Sequence, residues 1–310
     1  MAKNTNLTDA KKAKNDEFYT QIEDIEKELK NYKDFFKGKV VYCNCDRVDG
    51  ENRSNFFVYF AENFIEFGLK RLICTTYNKG GKGRLCIYNG DTNLNNIIDM
   101  DGDGDFRSEE CVKWLKKCDV VVTNPPFSLF RDFVAQLMEY NKKFLIIGNI
   151  NAITYKEIFP LIKDNKLWLG ASIKSGDRKF YVPDNYPLNA SGCGIDEKGK
   201  RFIRVKGVRW FTNIDHNKNN SPLELYKKYN PKDYPKYDNY DAINVDKTKD
   251  IPCDYNGVMG VPITFLDKYC PTQFEIVGIH GNCYDYTKPE KSLTINGKKV
   301  YKRIMIRKIN

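Results

Sequence analysis

The sequence predicts an α/β fold, a mostly parallel sheet with helices on both faces. Three observations predict it: a strand, helix, strand succession between residues 39 and 76, a second such alternation between 119 and 148, and the β-branched run at 120–123. That run has the composition of a central parallel strand covered on both sides.

The elements follow in order. Ile22, Ile25, Leu29 and Tyr32 recur at helical spacing, so an amphipathic helix runs from Gln21 to about Phe36 and stops at Gly38. Lys39 to Cys43 reads as a buried strand, Ser54 to Phe67 as a helix with Ser54 as its N-cap, and Lys70 to Thr76 as the next strand. Asn78 to Gly83 is a glycine- and lysine-rich loop before a short strand at Leu85 to Tyr88. Asp99, Asp101, Asp103 and Asp105 imitate a calcium loop, but Phe106 and Arg107 spoil its ligand pattern.

Val120 to Thr123 then feeds into Asn124-Pro125-Pro126-Phe127. Leu129, Phe130, Phe133, Val134, Leu137 and Met138 share one helical face, and Lys143 to Gly148 returns as a strand. Beyond residue 167 the texture changes to short strands: Lys179 to Val182, then Arg201 to Val205 and Val208 to Thr212 around Lys206-Gly207, part of which completes the sheet. His216 to Asp254 is too polar for a core and reads as an excursion or linker. Val258 to Ile279 regains strand and helix character, and Asn296-Gly297 marks a hairpin turn in the tail from Leu293 to Ile309.

At 310 residues and 41% hydrophobic content the chain can bury a sizeable core. No stretch approaches the roughly 20 apolar residues of a membrane span, and Met1 to Lys14 is polar, which places the protein in the cytoplasm. Several of the ten cysteines, Cys74 and Cys86 among them, fall inside core strands, so buried reduced thiols are expected; no zinc-type spacing occurs and no metal is expected. The net charge of +10 is uneven: residues 1–150 hold 23 basic and 23 acidic side chains, residues 151–310 hold 28 and 18. A lysine-rich coding bias would raise the total, but a balanced first half and a basic second half suit an enzyme that divides chemistry from the docking of a polyanion.

The tetrad Asn124-Pro125-Pro126-Phe127 has a definite use at the carboxyl end of a parallel strand. Its prolines fix φ, lack N–H groups and hold the residue before each in extended backbone, so the loop is stiff and offers acceptors only. The exocyclic amine of adenine is a poor nucleophile, its lone pair being delocalised into the ring. Two acceptors, the Asn124 side-chain oxygen and the Pro125 carbonyl, can hold both of its N–H bonds and favour a tetrahedral nitrogen. Phe127 offers a flat face on which an extruded base can stack, after an unstacking that costs a few kcal/mol.

On these residues the chain resembles the EcoRI-type adenine-specific DNA methyltransferases. The resemblance is carried by Asn15-Asp16-Glu17-Phe18-Tyr19-Thr20, Cys43-Asn44-Cys45-Asp46, Gly104-Asp105-Phe106, Thr123-Asn124-Pro125-Pro126-Phe127-Ser128 and Met259-Gly260-Val261-Pro262-Ile263-Thr264-Phe265. It implies a Rossmann-like class I methyltransferase, with S-adenosyl-L-methionine as cofactor and double-stranded DNA as substrate. Phe18, Tyr19 and Thr20 would contact the methionine part of the donor, Cys43, Asn44 and Asp46 would lie beneath it, and Asp105 with Phe106 would hold its adenine. Two departures stand out: Cys43 to Asn52 contains only Gly50 where a glycine-rich turn is usual, and the second strand ends Cys74-Thr75-Thr76-Tyr77 without a ribose-binding acid, leaving Thr76 and Tyr77 near ribose or adenine.

The resemblance further implies a catalytic domain over 1–215 and a target-recognition region over 216–310, part of which can rejoin the sheet. Arg201, Arg204, Lys206 and Arg209, the stretch Lys227 to Tyr240, and Lys302, Arg303, Arg307 and Lys308 are the candidate DNA contacts. A monomer acting on one strand at a time is expected, and whether a cognate restriction endonuclease accompanies it stays open. Two rivals stay open: a protein glutamine methyltransferase, whose amide substrate poses the same chemical problem, and a DNA-binding module without catalysis.

Overall fold

A computed structural model of the chain describes residues 19–50, 53–91, 96–184, 186–189, 191–216, 221–280 and 292–309. They form two units, the first comprising the described residues up to Ala152 together with Gly170–Ile214, the second Ile153–Leu169 with the described residues from Asp215 onward. Among the described residues no helix is long and apolar enough to cross a membrane.

The first unit begins with β1 (Tyr19–Thr20) and α1 (Ile22–Leu29), which tightens into a 3-10 segment at Lys30–Phe36 and ends at Gly38 with φ 73°. It continues through β2 (Val40–Cys43), α2 (Asn55–Glu62), β3 (Arg71–Thr76), β4 (Arg84–Tyr88), β5 (Ile97–Asp99), α3 (Glu109–Lys117), β6 (Val120–Thr123), α4 (Phe130–Glu139) and β7 (Lys143–Asn149). The chain enters the second unit for α5 (Phe159–Lys163) and β8 (Trp168–Leu169). It then returns for β9 (Asp177–Tyr181), β10 (Gly194–Ile195), β11 (Arg201–Lys206) and β12 (Val208–Thr212).

Within this unit the large sheet has the order β5-β4-β3-β2-β6-β7-β12. Its central strands β3, β2, β6 and β7 pair in parallel, whereas β4 pairs antiparallel with β3, β5 antiparallel with β4 and β12 antiparallel with β7, so the sheet is mixed where the sequence suggested a mostly parallel one. For β4 the reason is loop length, since the link from Thr76 to Arg84 is too short for the crossover of about a dozen residues that a parallel neighbour needs.

Alternate strand residues build two cores. Val41, Cys43, Leu72, Cys74, Val120, Val122 and Trp210 face α1 and α2, with Phe56 meeting the Trp210 ring edge-on at 5.9 Å. On the opposite face Phe130 packs against Phe211 at 5.0 Å and Phe133 against Phe106 at 4.9 Å. Burying such a side chain contributes about 1.5–3 kcal/mol each. α2 starts at Ser54, whose Oγ accepts from the Phe56 N–H at 3.2 Å, and α3 starts at Ser108, with Glu109 and Glu110 in its first turn and Lys116 and Lys117 in its last, as the helix dipole favours.

A second sheet of this unit, ordered β1-β9-β11-β10, is wholly antiparallel and turns Phe180, Ile203 and Val205 into the core. The strands on either side of Gly207 therefore do not pair with each other: β11 joins β9, while β12 joins β7 and completes the large sheet. Gly207, at φ 73°, makes the turn between the sheets.

The second unit holds β13 (Ile243–Asn244), β14 (Met259–Pro262), β15 (Phe274–His280), β16 (Thr294–Ile295), β17 (Lys298–Lys299) and β18 (Arg303–Lys308), with a sheet ordered β13-β14-β18-β15. β16 and β17 pair around Asn296 and Gly297, both at positive φ, as the Asn-Gly signal predicted. The stretch from His216 to Asp254 is not merely an exposed excursion: Tyr234, Tyr237, Ile243, Val245 and Ile251 are buried. Its polarity misled because the tyrosines bury their rings and still donate their hydroxyl protons, Tyr234 to the Asp250 carbonyl at 2.7 Å and Tyr237 to Asn244 Oδ1 at 2.8 Å.

Candidate active site

β3, β2 and β6 are neighbours running in one direction, so their carboxyl ends lie side by side, where open parallel sheets bind ligands. β6 ends in the fully buried Thr123, after which Pro125 is buried and Asn124, Pro126 and Phe127 are half-buried. Pro126 keeps extended backbone at ψ 122°, and its carbonyl accepts from the Leu129 N–H at 3.0 Å, closing a short turn that leads into α4. Phe127 packs, partly buried, against the core. The tetrad is thus a stiff strand-to-helix connection at the mouth of the sheet.

Beside it, β2 ends in Cys43 and passes to Asn44 and Asp46. The Asn44 side chain is 2% exposed, and neither its Oδ1 nor its Nδ2 has a hydrogen-bond partner among the described residues. A buried amide left so costs about 1–3 kcal/mol per group, which a bound polar ligand would recover. Asp46 is the opposite case. Its carboxylate, 5% exposed, accepts a short hydrogen bond from Ser54 Oγ and one of 2.5 Å from Thr123 Oγ1. Burial pushes its pKa up to about 6, against the pull of Ser54, Thr123 and the Cys45 backbone N–H.

β3 delivers Thr76 and the exposed Tyr77 to the same end. Thr76 Oγ1 donates to the Asp46 carbonyl at 2.9 Å and accepts from the Val48 N–H at 3.1 Å, and the Asp46 N–H donates to the Thr75 carbonyl at 3.1 Å. The loop before α3 closes over β3 through Gly104, whose missing Cβ lets it lie on the Thr76 carbonyl. Phe106, 4% exposed, is fixed there by Phe133 and by Gln136, whose Nε2 donates to the Phe106 carbonyl at 3.2 Å. The Arg107 guanidinium grips the Asp105 carboxylate at 2.6 and 2.9 Å and holds its pKa below the usual range, a partner the sequence reading had not assigned.

Tyr19 and Thr20 also reach this region. The Thr20 carbonyl accepts from Asn55 Nδ2 at 2.6 Å, while its buried Oγ1 has no partner among the described residues, and Tyr19 interacts with Arg47 in the loop after β2. Phe18, expected beside them, lies outside the described residues.

The candidate DNA contacts separate by burial. Arg204 and Lys206 are exposed on β11, Arg204 pairing with Asp177 at 3.2 Å, and the Lys206 carbonyl accepts from Nδ2 of Asn149, the last residue of β7, at 3.0 Å. Arg201 is half-buried and donates to the Tyr186 carbonyl at 2.7 Å. Arg209 is withdrawn from the set: it is 3% exposed and its guanidinium serves the Val208 and Lys174 carbonyls at 2.8 and 2.5 Å. In the second unit Arg303 is withdrawn likewise, being 8% exposed and bound to Asn244 Oδ1 at 3.1 Å and Asp246 Oδ1 at 3.4 Å. Lys302 is half-buried against Thr154, whereas Arg307 is exposed beside Glu275. Lys308 is half-buried and donates to the Cys253 carbonyl at 2.5 Å. Of the basic excess beyond residue 150, half returns to the first unit, where 170–214 holds nine basic and four acidic residues.

The chain matches the family model described as adenine-specific methyltransferase EcoRI over residues 6–309. It is 51% identical over 326 residues to the type II methyltransferase M.EcoRI of Escherichia coli, covering 99% of this chain and 97% of that protein. It is 42% identical to the type II methyltransferase M.MgeORF184P of Mycoplasma genitalium, over 96% of this chain and 97% of that one. Its identity to M.MpnI of Mycoplasma pneumoniae is 41%, over 96% of each chain. No solved structure matches the chain.

Proposed function

The chain belongs to the family of EcoRI-type adenine-specific methyltransferases, and from that premise we propose how a site-specific DNA adenine methyltransferase works through the residues described above. The product is N6-methyladenine and the methyl donor is S-adenosyl-L-methionine. The observation that carries the reading is the Asn124-Pro125-Pro126-Phe127 connection leaving β6 beside the end of β2, where the buried Asn44 amide has no partner among the described residues.

The residues fit the donor on that last point. Asn44 and Thr20 offer buried polar atoms with no partner among the described residues, Tyr77 offers an exposed ring at the end of β3, and Asp105 and Phe106 close the same end. These residues would hold the donor, Asp105 keeping an acceptor lone pair beside the arginine that grips it. When bound, the donor supplies an electrophilic methyl group on a sulfonium centre.

The catalytic work of the chain is done by acceptors. Asn124 Oδ1 and the Pro125 carbonyl accept hydrogen bonds from the two amine N–H groups of the target adenine, which favours a tetrahedral nitrogen whose lone pair is free for in-line attack. Because Asn124 is neutral, this needs no perturbed pKa. Phe127 stacks on the base once it has left the duplex, which places the amine at the mouth of the sheet. Arg204 and Lys206, exposed on β11, contact phosphates, and the second unit contributes target recognition.

The test is transfer of a radiolabelled methyl group to DNA followed by digestion to nucleosides. N6-methyladenine in the wild type and its loss in Asn124→Ala support the reading. Label in protein glutamine or in cytosine would overturn it.

A further inference from the structure

We propose that Asp46 is a positioning residue, not a ligand of the methyl donor: it clamps the catalytic loop to the strand end that receives the donor. The inference rests on the function proposed above and concerns how its two reactants are aligned. A carboxylate offers about four lone-pair sites. Both carboxylate oxygens of Asp46 are already engaged inside the protein, one by Ser54 Oγ and the other by Thr123 Oγ1 at 2.5 Å, and the side chain is 5% exposed.

Each of those partners belongs to a different part of the site. Ser54 caps α2, Thr123 is the last residue of β6, and the Asp46 backbone is tied at both its N–H and its carbonyl to Thr75 and Thr76 of β3. Thr123 directly precedes Asn124, and Pro125 confines Asn124 to extended backbone. With that rotation suppressed, fixing Thr123 fixes the Asn124 amide. A charged acceptor makes shorter and stiffer hydrogen bonds to hydroxyls than a neutral one does, which is what a clamp requires. The loop after β2 thus divides its labour: Asn44 presents an amide with no partner among the described residues, while Asp46 turns toward the catalytic loop.

The experiment uses the full chain, sheared genomic DNA free of N6-methyladenine, and S-adenosylmethionine. Turnover at saturation is measured beside donor affinity by calorimetry for Asp46→Asn, Thr123→Val, Thr123→Ser and the double variant Asp46→Asn/Thr123→Val. Thr123→Val is expected to lower kcat about 100-fold, as a loosened reactive geometry does, with the donor Kd within about threefold of wild type. Thr123→Ser keeps the hydroxyl and restores most of the turnover. The double variant is about as slow as the slower single one, because both remove one interaction.

Wild-type kcat in Thr123→Val, or a donor affinity that falls in step with kcat in Asp46→Asn, would overturn the inference. The Thr123 pair decides the matter should Asp46→Asn fail to fold. If the wild type itself transfers no methyl group to DNA, the proposed function fails first and the inference falls with it.

Discussion

Gly104 lies directly on the backbone carbonyl of Thr76, so closely that a Cβ on Gly104 would overlap the carbonyl oxygen. Its φ of +82° is one that side-chain-bearing residues rarely adopt, and Gly83 packs closely against it, an added Cβ there coming within 2.7 Å of the Gly104 nitrogen. The glycines missing from the turn after β2 have their counterpart here, in the loops that close the end of β3.

Gly104→Ala should therefore destabilise the fold by about 1–3 kcal/mol, combining the cost of positive φ with displacement of the loop from Thr76. The same shift moves Asp105 and Phe106, so donor affinity falls as well. Denaturant melts and donor titration check both, and an alanine variant with unchanged stability would show that the loop yields freely.

Asn124→Ala should reduce methyl transfer by about 10²–10³-fold, the usual effect of removing one preorganised polar contact to a transition state. Phe127→Ala should also abolish most activity, through loss of base stacking. Far-UV circular dichroism and melting curves are expected to stay near wild type in both, because the two side chains are half-buried and the strand before them is intact.

Asp46 gives a pH dependence of known sign. Its folded pKa of about 6 stands above the unfolded value of about 3.9, so its contribution to stability is present below about pH 3.9 and is lost as pH rises through 6. Above that pH the buried charge costs on the order of 2–3 kcal/mol, since one pKa unit corresponds to about 1.36 kcal/mol. Asp46→Asn should gain stability relative to wild type as pH rises from 4 to 7, in urea melts run in parallel at about those two pH values. A wild-type-minus-variant difference that does not change with pH would contradict the assigned cause.

The arginines around β11 and β12 should behave oppositely. Arg204→Ala weakens DNA binding and makes its dependence on salt shallower by about one unit of slope. Arg209→Ala leaves two carbonyls short of a donor inside the protein and destabilises the fold by about 1–3 kcal/mol, with the salt slope unchanged. Fluorescence anisotropy across a salt series separates the two.

What was legible in the sequence was local. The β-branched run, the two prolines and the helix after them are contiguous, so the strand, the stiff loop and its place at a strand end followed from composition alone. The Asn296-Gly297 hairpin was readable for the same reason. The union of Asp46, Ser54 and Thr123 was not, because its longest hydrogen bond spans 77 residues and nothing in either segment names the other. Arg204 and Arg209 look alike as letters in two basic strands. Only the pairing of β12 with β7 puts Arg209 inside the protein, and that pairing depends on Gly207 sending its flanking strands to different sheets. The tyrosines at 234 and 237 were misjudged because hydropathy counts the hydroxyl and overlooks the acceptor waiting for it.

The position of β12 bears on how the protein must be made. β7 leaves the ribosome with one long edge bare, and the strand that covers it is encoded only after the detour at 153–169 and the small antiparallel sheet. Until synthesis passes residue 212 that edge is open to any passing strand, which is a recognised route to aggregation. A fragment cut at the apparent midpoint would carry the whole Asn-Pro-Pro-Phe tetrad and still be a poor candidate for a stand-alone enzyme.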